Sequence, residues 1–481
     1  MAIKTKAYDL DTPKDGSDAV SVKYGTTADK HAMWKMGKVQ ELSRNFRFVS
    51  MYGFTIVVMA SWEWVLALAP IVLVDSGTGG FIWLYLISWI GVIIVTLSLA
   101  EMGSMAPTSG AVVLVKLTTR KVSEFAPASY QKIASYVVGW LCVLRWRTGA
   151  ATSAFLVGTH IQALITLNNP SYTFENWHST LLTIAVCSLS LIFNVICAKN
   201  LPLVESLVVV VHIFSFIAVT TILWLIGPVA DAHVTSTTFN DGGGWGSVSV
   251  ATLAGIELRD APKTLPHAML WTILTYRAMG RVIVITFCSV LSRLDDALAS
   301  PTKQPYIYVF YNATKSVRGA TAMGVVVISI LVFCSVTTTA TSSRQLFAFA
   351  HDQGIPFGKT FSAVSPTWEV PLNALWFSFV FSVLLSLLNL GSPVALNSIG
   401  SLGSASALIS YTLSISFIAM KRIRGEPMLP SKFPLGRLGM PTNITSIYSH
   451  VGSVTIFAAS FYYLRGKRVY AGPVAYVRKS V

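Results

Sequence analysis

The sequence predicts an all-α membrane protein with about ten crossings, on three observations. Only 12% of its 481 residues are charged while 53% are hydrophobic, against about 25% charged in an ordinary soluble chain. Apolar runs of about 20 residues, the length that spans a hydrocarbon core as a helix, recur along the whole chain. Lys and Arg gather in alternate gaps between those runs. The mean hydropathy is +0.61.

Residues 1–46 are polar, Lys-rich and poor in large aliphatics, a composition that predicts a disordered cytosolic tail. No signal-peptide core precedes the first apolar run, so the first span is expected to direct its own insertion. Spans are predicted near 50–74, 80–100, 133–167, 179–198, 202–227, 268–291, 319–342, 373–390 and 394–420. Weaker segments lie near 245–256 and 444–464. Residues 47–464 thus form the membrane domain and 465–481 a basic tail of cytosolic type. The 133–167 run exceeds one bilayer thickness, so one end must project or tilt.

The gaps at 75–79, 168–178, 228–244 and 391–393 hold no Lys or Arg. The opposite set is basic, with Lys35, Lys38, Arg44 and Arg47, then Lys116, Arg120, Lys121 and Lys132, then Lys199, then Lys421, Arg422 and Arg424. The N-terminus is therefore expected in the cytosol. The loop 292–318, with Arg293, Lys303, Lys315 and Arg318, is the exception on the outside. It holds the sequon Asn312-Ala-Thr, which makes Asn312 the expected glycan acceptor. The sequon at Asn443 falls on the cytosolic side and is expected to stay bare.

The net charge of +15 follows the loops, so nucleic acid is not an expected partner and the lipid bilayer is. The five cysteines, Cys142, Cys187, Cys197, Cys288 and Cys334, lie in or beside apolar segments without metal-ligand spacing. No hydrolase, kinase or zinc motif is present, so no enzyme, catalytic residue, cofactor or metal is expected. Gly242 to Gly246 is glycine-rich but follows no strand and reads as a loop.

The informative residues are polar ones inside spans. Glu63 lies mid-span in Ala60-Ser61-Trp62-Glu63-Trp64. A carboxylate there points to function, and its small and polar neighbours would let the helix open toward a ligand. The plainer alternative is that Glu63 pairs with a membrane arginine. Glu101 closes the second span, and Pro107 through Gly110 break the chain after it. Arg145, Arg147, Arg277 and Arg281 all sit at bilayer depth and need partners, water or bilayer deformation. The eighth span ends in a hydroxyl-rich stretch with Thr337 and Thr338, suited to lining a cavity or to helix packing. The small residues from Ser398 to Ala407 read as close packing.

Taken in order, several stretches resemble the amino acid–polyamine–organocation superfamily, in particular its fungal branch of amino-acid, GABA and choline permeases. They are Glu41 to Phe46, Trp62-Glu63, Ser98 to Met102 with Ala106 to Gly110, Val122 to Pro127, and Ser135 to Cys142. They continue through Ala198 to Glu205, Asp260 to Pro266, Ser343 to Ala350, Pro371 to Ala374, and Arg424 to Pro427. Singly each is weak; in this order, across 41–475, they are specific.

The resemblance implies a LeuT-like inverted-repeat transporter fold of about 10–12 helices, with substrate held mid-membrane between broken helices 1 and 6. It implies a secondary transporter of amino acids or related amines such as GABA, choline or polyamine-like solutes. Proton coupling is expected because Glu63 and Glu101 are ionisable, while the resemblance alone also allows other modes, including exchange; the plasma membrane is the expected location. Ala60, Ser61, Trp62, Glu63, Thr337 and Thr338 would bind substrate, while Glu101 and Arg145 would serve coupling or gating.

The chain departs from the family pattern in four places. The sixth helix is cut to Trp245–Ile256, the stretch Ala111 to Lys121 stands where the family continues Gly-Gln-Tyr-x-Trp after Gly110, no eleventh helix precedes the last, and Trp64 replaces a small glycine. A strained, partly non-helical crossing is therefore expected at 245–260. The alternative is a non-transporting relative, a sensor or an inactive permease.

Overall fold

A backbone in hydrocarbon must satisfy its own hydrogen bonds, so each apolar run folds as helix. A computed structural model of the protein describes residues 56–105, 125–127, 129–240, 266–391, 393–426, 428 and 433–448. Every regular element among the described residues is helical. The predicted tails, the Pro107–Gly110 break, the glycine-rich loop and the short sixth segment lie outside them.

The longest helix, α1 (Ser61–Met105), follows a helical turn at 56–59 and is interrupted at Gly77, φ 67 and ψ −172. The stretch Ile56–Met105 has 50 residues, about 75 Å at 1.5 Å per residue, more than twice a hydrocarbon core. Gly77 divides it into two limbs that can each cross. A side chain at Gly77 would also strike the backbone of Thr238 and Asn240, so both its dihedrals and its contacts require glycine.

Then follow α2 (Gln131–Asn168), α3 (Asn176–Ile196), α4 (Leu201–Ile226), the short α5 (Ala232–Thr237), and α6 (Pro266–Val290). The loop 292–318, expected on the outside, folds as α7 (Leu294–Leu298) and α8 (Pro305–Thr314). The rest is α9 (Val317–His351), α10 (Gly358–Phe361), α11 (Leu372–Ser386), α12 (Leu388–Gly391), α13 (Pro393–Ile423) and α14 (Gly439–Ile447). Among the described residues, eight stretches are long and apolar enough to cross a membrane. With the first counted twice, they coincide with the nine strong spans read from the sequence.

The main core joins α1, α6, α8 and α9 through Trp62, Leu66, Leu73, Phe81, Phe287, Tyr306, Phe310 and Leu331. The 38-residue α2 is about 57 Å long, the overlong segment expected from 133–167. It packs against α9, α13 and α3. Gly403 of α13 faces Thr148 of α2 so closely that no Cβ fits. The small residues of this span are thus used for close packing.

Candidate functional site

Helix α1 opens where the sequence places small and polar residues. Ala60 has φ 35, a left-handed strain of about 1–3 kcal/mol for a non-glycine residue. Ala60 N–H donates to Ile56 and Trp64 N–H to Ala60, both at 2.9 Å. Ala60 is thus the single non-helical residue between the turn at 56–59 and the helix that starts at Ser61. The Val58 carbonyl accepts the Cys334 thiol of α9 at 3.2 Å. Ser61 opens the positive end of the helix, and Glu63 sits in its first turn, where a negative charge is favoured.

Glu63 is fully buried (0% exposed). Its Oε1 lies within hydrogen-bond distance, 2.7 Å, of His212 Nδ1 of α4. His212 Nε2 lies 3.5 Å from the Ser61 hydroxyl, and the Trp62 ring stands 6.2 Å from the imidazole. Among the described residues, the second carboxylate oxygen, Oε2, and Trp62 Nε1 have no hydrogen-bond partner. Glu63 is thus paired with a histidine rather than with a membrane arginine. The sequence reading missed His212, although the only histidine within the apolar run Leu207 to Phe216 was itself the signal.

Thr337 and Thr338 are buried on α9. Their hydroxyls bond back to Phe333 O at 2.9 Å and Cys334 O at 2.7 Å. Cys334 lies between Val58 and Thr338, with Sγ 3.9 Å from the Thr338 hydroxyl. The α9 residues therefore sit against the helix break.

The four deep arginines have different surroundings. Arg147 donates to the Ser378 hydroxyl and to Ser342 O, and stacks on Phe377 at 5.2 Å. Arg281 donates to Ile82 O. Arg277 is fully buried between the rings of Tyr85 and Tyr276, at 5.5 and 5.3 Å, and among the described residues its nitrogens make no hydrogen bond. Cation–π contact is its compensation. Arg145 is half-buried on α2, at the seam with α13.

Glu101 is far from the break, at the end of α1. Its Oε2 is 2.5 Å from Arg422 of α13, and its Oε1 accepts from Leu435 N–H at 3.0 Å. The Asn443 amide, oriented to satisfy its neighbours, accepts from Arg422 at 2.6 Å and donates to Ser98 at 3.0 Å. Asn443 is wholly buried, whereas Asn312 is half-buried on α8.

Membrane helices broken at mid-depth around a buried, half-satisfied carboxylate define a secondary transporter. The chain belongs to the amino acid permease family, whose model matches residues 46–477. It is 26% identical to a Macrophomina phaseolina protein named for amino acid or polyamine transport, covering 82% of this chain and 90% of that one. The choline transporter of Saccharomyces cerevisiae is 26% identical, over 76% of this chain and 68% of its own. Amino-acid permease 2 of Neurospora crassa is 21% identical, over 97% and 93%. The fold resembles that of a manganese transporter from Eremococcus coleocola, with a TM-score of 0.51 at 13% identity, covering 88% and 93% of the two chains.

Proposed function

We propose that the protein carries an amino acid or a related amine, such as GABA, choline or a polyamine-like solute, across the plasma membrane in company with a proton. The observation that carries this reading is Glu63, buried at the helix break with one oxygen held by His212 and the other open. The open oxygen suits a substrate cation, and the positive helix end that starts at Ser61 suits a substrate carboxylate. Ala60 supplies the strained turn, Trp62 an aromatic wall, and Thr337 and Thr338 the facing side. His212 is the group that shares the coupling proton with Glu63. The names of the fungal relatives support the substrate class.

In this reading Glu101, locked to Arg422, serves as a cytosolic latch in gating, with Arg145 at the α2–α13 seam beside it in that role. Asn312 is the proposed glycan acceptor. The second reading, a non-transporting relative, is favoured by the shortness of the apolar segment Trp245–Ile256.

Uptake of labelled amino acids, GABA and choline by cells lacking their own permeases separates the two. Saturable uptake that rises with external acidity and vanishes in Glu63→Gln, at unchanged surface expression, is the expected result. Silence with normal membrane insertion selects the second reading.

A further inference from the structure

A second carboxylate lies inside the same helix layer. Glu205 of α4 is 2% exposed; among the described residues neither of its oxygens makes a hydrogen bond of full geometry, and the Thr337 hydroxyl is the nearest donor to it. It stands seven residues before His212, two helical turns or about 10.5 Å along one face of α4. Thr337 and Arg344 of α9 stand beside it. Thr337 is one turn from Cys334, which contacts the helix break. Arg344 is two turns beyond Thr337, toward the end of α9 that the basic loops assign to the cytosol. Glu205 itself is only about 6 Å from the start of α4 at Leu201.

The other charges nearby are accounted for. Lys199 pairs with Glu369 at the surface at 3.5 Å. From α1 comes Glu63, already held by His212. Phe193 of α3 contributes only apolar surface beside Leu201, Val336 and Ala340. Helix α6 turns Arg277 and Arg281 toward Tyr85 and Ile82 of α1 and meets the far end of α4 through Thr286 and Trp224. Helix α8 has tyrosines but no charged side chain.

We propose that Glu205 is the proton relay between the Glu63–His212 pair and the cytosol. An ionised Glu205 can be balanced by Arg344, and a proton can replace that balance. When the cytosolic side opens to water, the N–H bond of the His212 imidazolium breaks and an O–H bond forms on Glu205. Glu205 then gives the proton to cytosolic water and closes on Arg344. Nothing is oxidised, and the proton is the only group transferred.

This inference rests on the proposed coupling, and proteoliposomes separate their failures. The probe is whichever of labelled GABA, choline or an amino-acid mixture the cells take up. Two fluxes are read, counterflow without a pH gradient and accumulation driven by one, with proton movement followed by an internal pH dye. Substrate exchange needs no net proton release. Glu205→Gln should therefore keep counterflow within about twofold of the parent, while driven accumulation and dye response fall at least tenfold, and Glu205→Asp should restore part of both. Glu63→Gln should lose both fluxes. Equal loss of both in Glu205→Gln would mean a structural role and overturn the relay, as would full driven accumulation in that variant. A parent chain that exchanges but ignores the gradient would overturn the coupling itself along with the relay.

Discussion

At the scale of single residues the arrangement turns on a pair separated by 149 positions in sequence, Glu63 and His212. Each alone would be a costly group at bilayer depth. Together they leave one carboxylate oxygen bound and one open. Replacing His212 by Leu leaves a buried carboxylate unpaired, which should cost roughly 3–5 kcal/mol and show as poor insertion. His212→Asn is the informative variant, because an amide N–H can still reach Glu63 but cannot titrate. It should express normally and lose the rise of uptake with external acidity. An unchanged profile in a well-expressed Asn variant would remove His212 from coupling. The helix break was legible beforehand, because Ala60 and Ser61 beside Glu63 announce it locally. The partner was not, because nothing in the residues around Glu63 encodes which helix will face it.

The same limit holds for whole elements. Spans such as 179–198 and 202–227 match α3 (Asn176–Ile196) and α4 (Leu201–Ile226) because apolar length fixes a helix without reference to its neighbours. The ties between elements had to be seen in three dimensions. The end of α1 is fastened to the end of α13 by Glu101 and Arg422, 321 residues apart, and to the 433–435 segment by Leu435 and Phe433, whose N–H groups reach Glu101 and Ser104. Glu101 and Arg422 are 3% and 14% exposed. Removing one partner therefore strands a largely buried charge, a loss of roughly 3–5 kcal/mol. Glu101→Gln should lower the melting temperature in detergent by several degrees. The double variant Glu101→Gln, Arg422→Gln should recover part of it, since no charge is then left unpaired. If the latch also gates, the double variant should admit thiol reagents from the cytosolic side more readily than the parent. A Glu101→Gln protein that melts with the parent would show that the pair holds nothing together.

At the scale of the whole molecule, the ends of α4 and α6 bear on the short sixth segment. Ala230 N–H donates to Ser289 O at 2.7 Å, and Gly79 N–H to Thr238 O at 2.8 Å. Asn240 thus lies on the face on which α6 ends. Helix α6 has 25 residues, about 37 Å, so Pro266 opens on the opposite face. The apolar part, Trp245–Ile256, supplies only about 18 Å of helix at 1.5 Å per residue, against a core of about 30 Å. Two outcomes are expected. A cysteine at Asn240 should react with a membrane-impermeant thiol reagent on intact cells, and one at Lys263 only after permeabilisation. Uptake by the chain as written should be weak though saturable. Inserting about eight apolar residues after Ile256, to reach the roughly 20 that span a bilayer, should raise its maximal rate at least tenfold at equal surface expression. Labelling of both cysteines from outside would reverse the assignment of faces. Strong uptake by the unmodified chain, lost on insertion, would show that the short crossing is the working form of this helix.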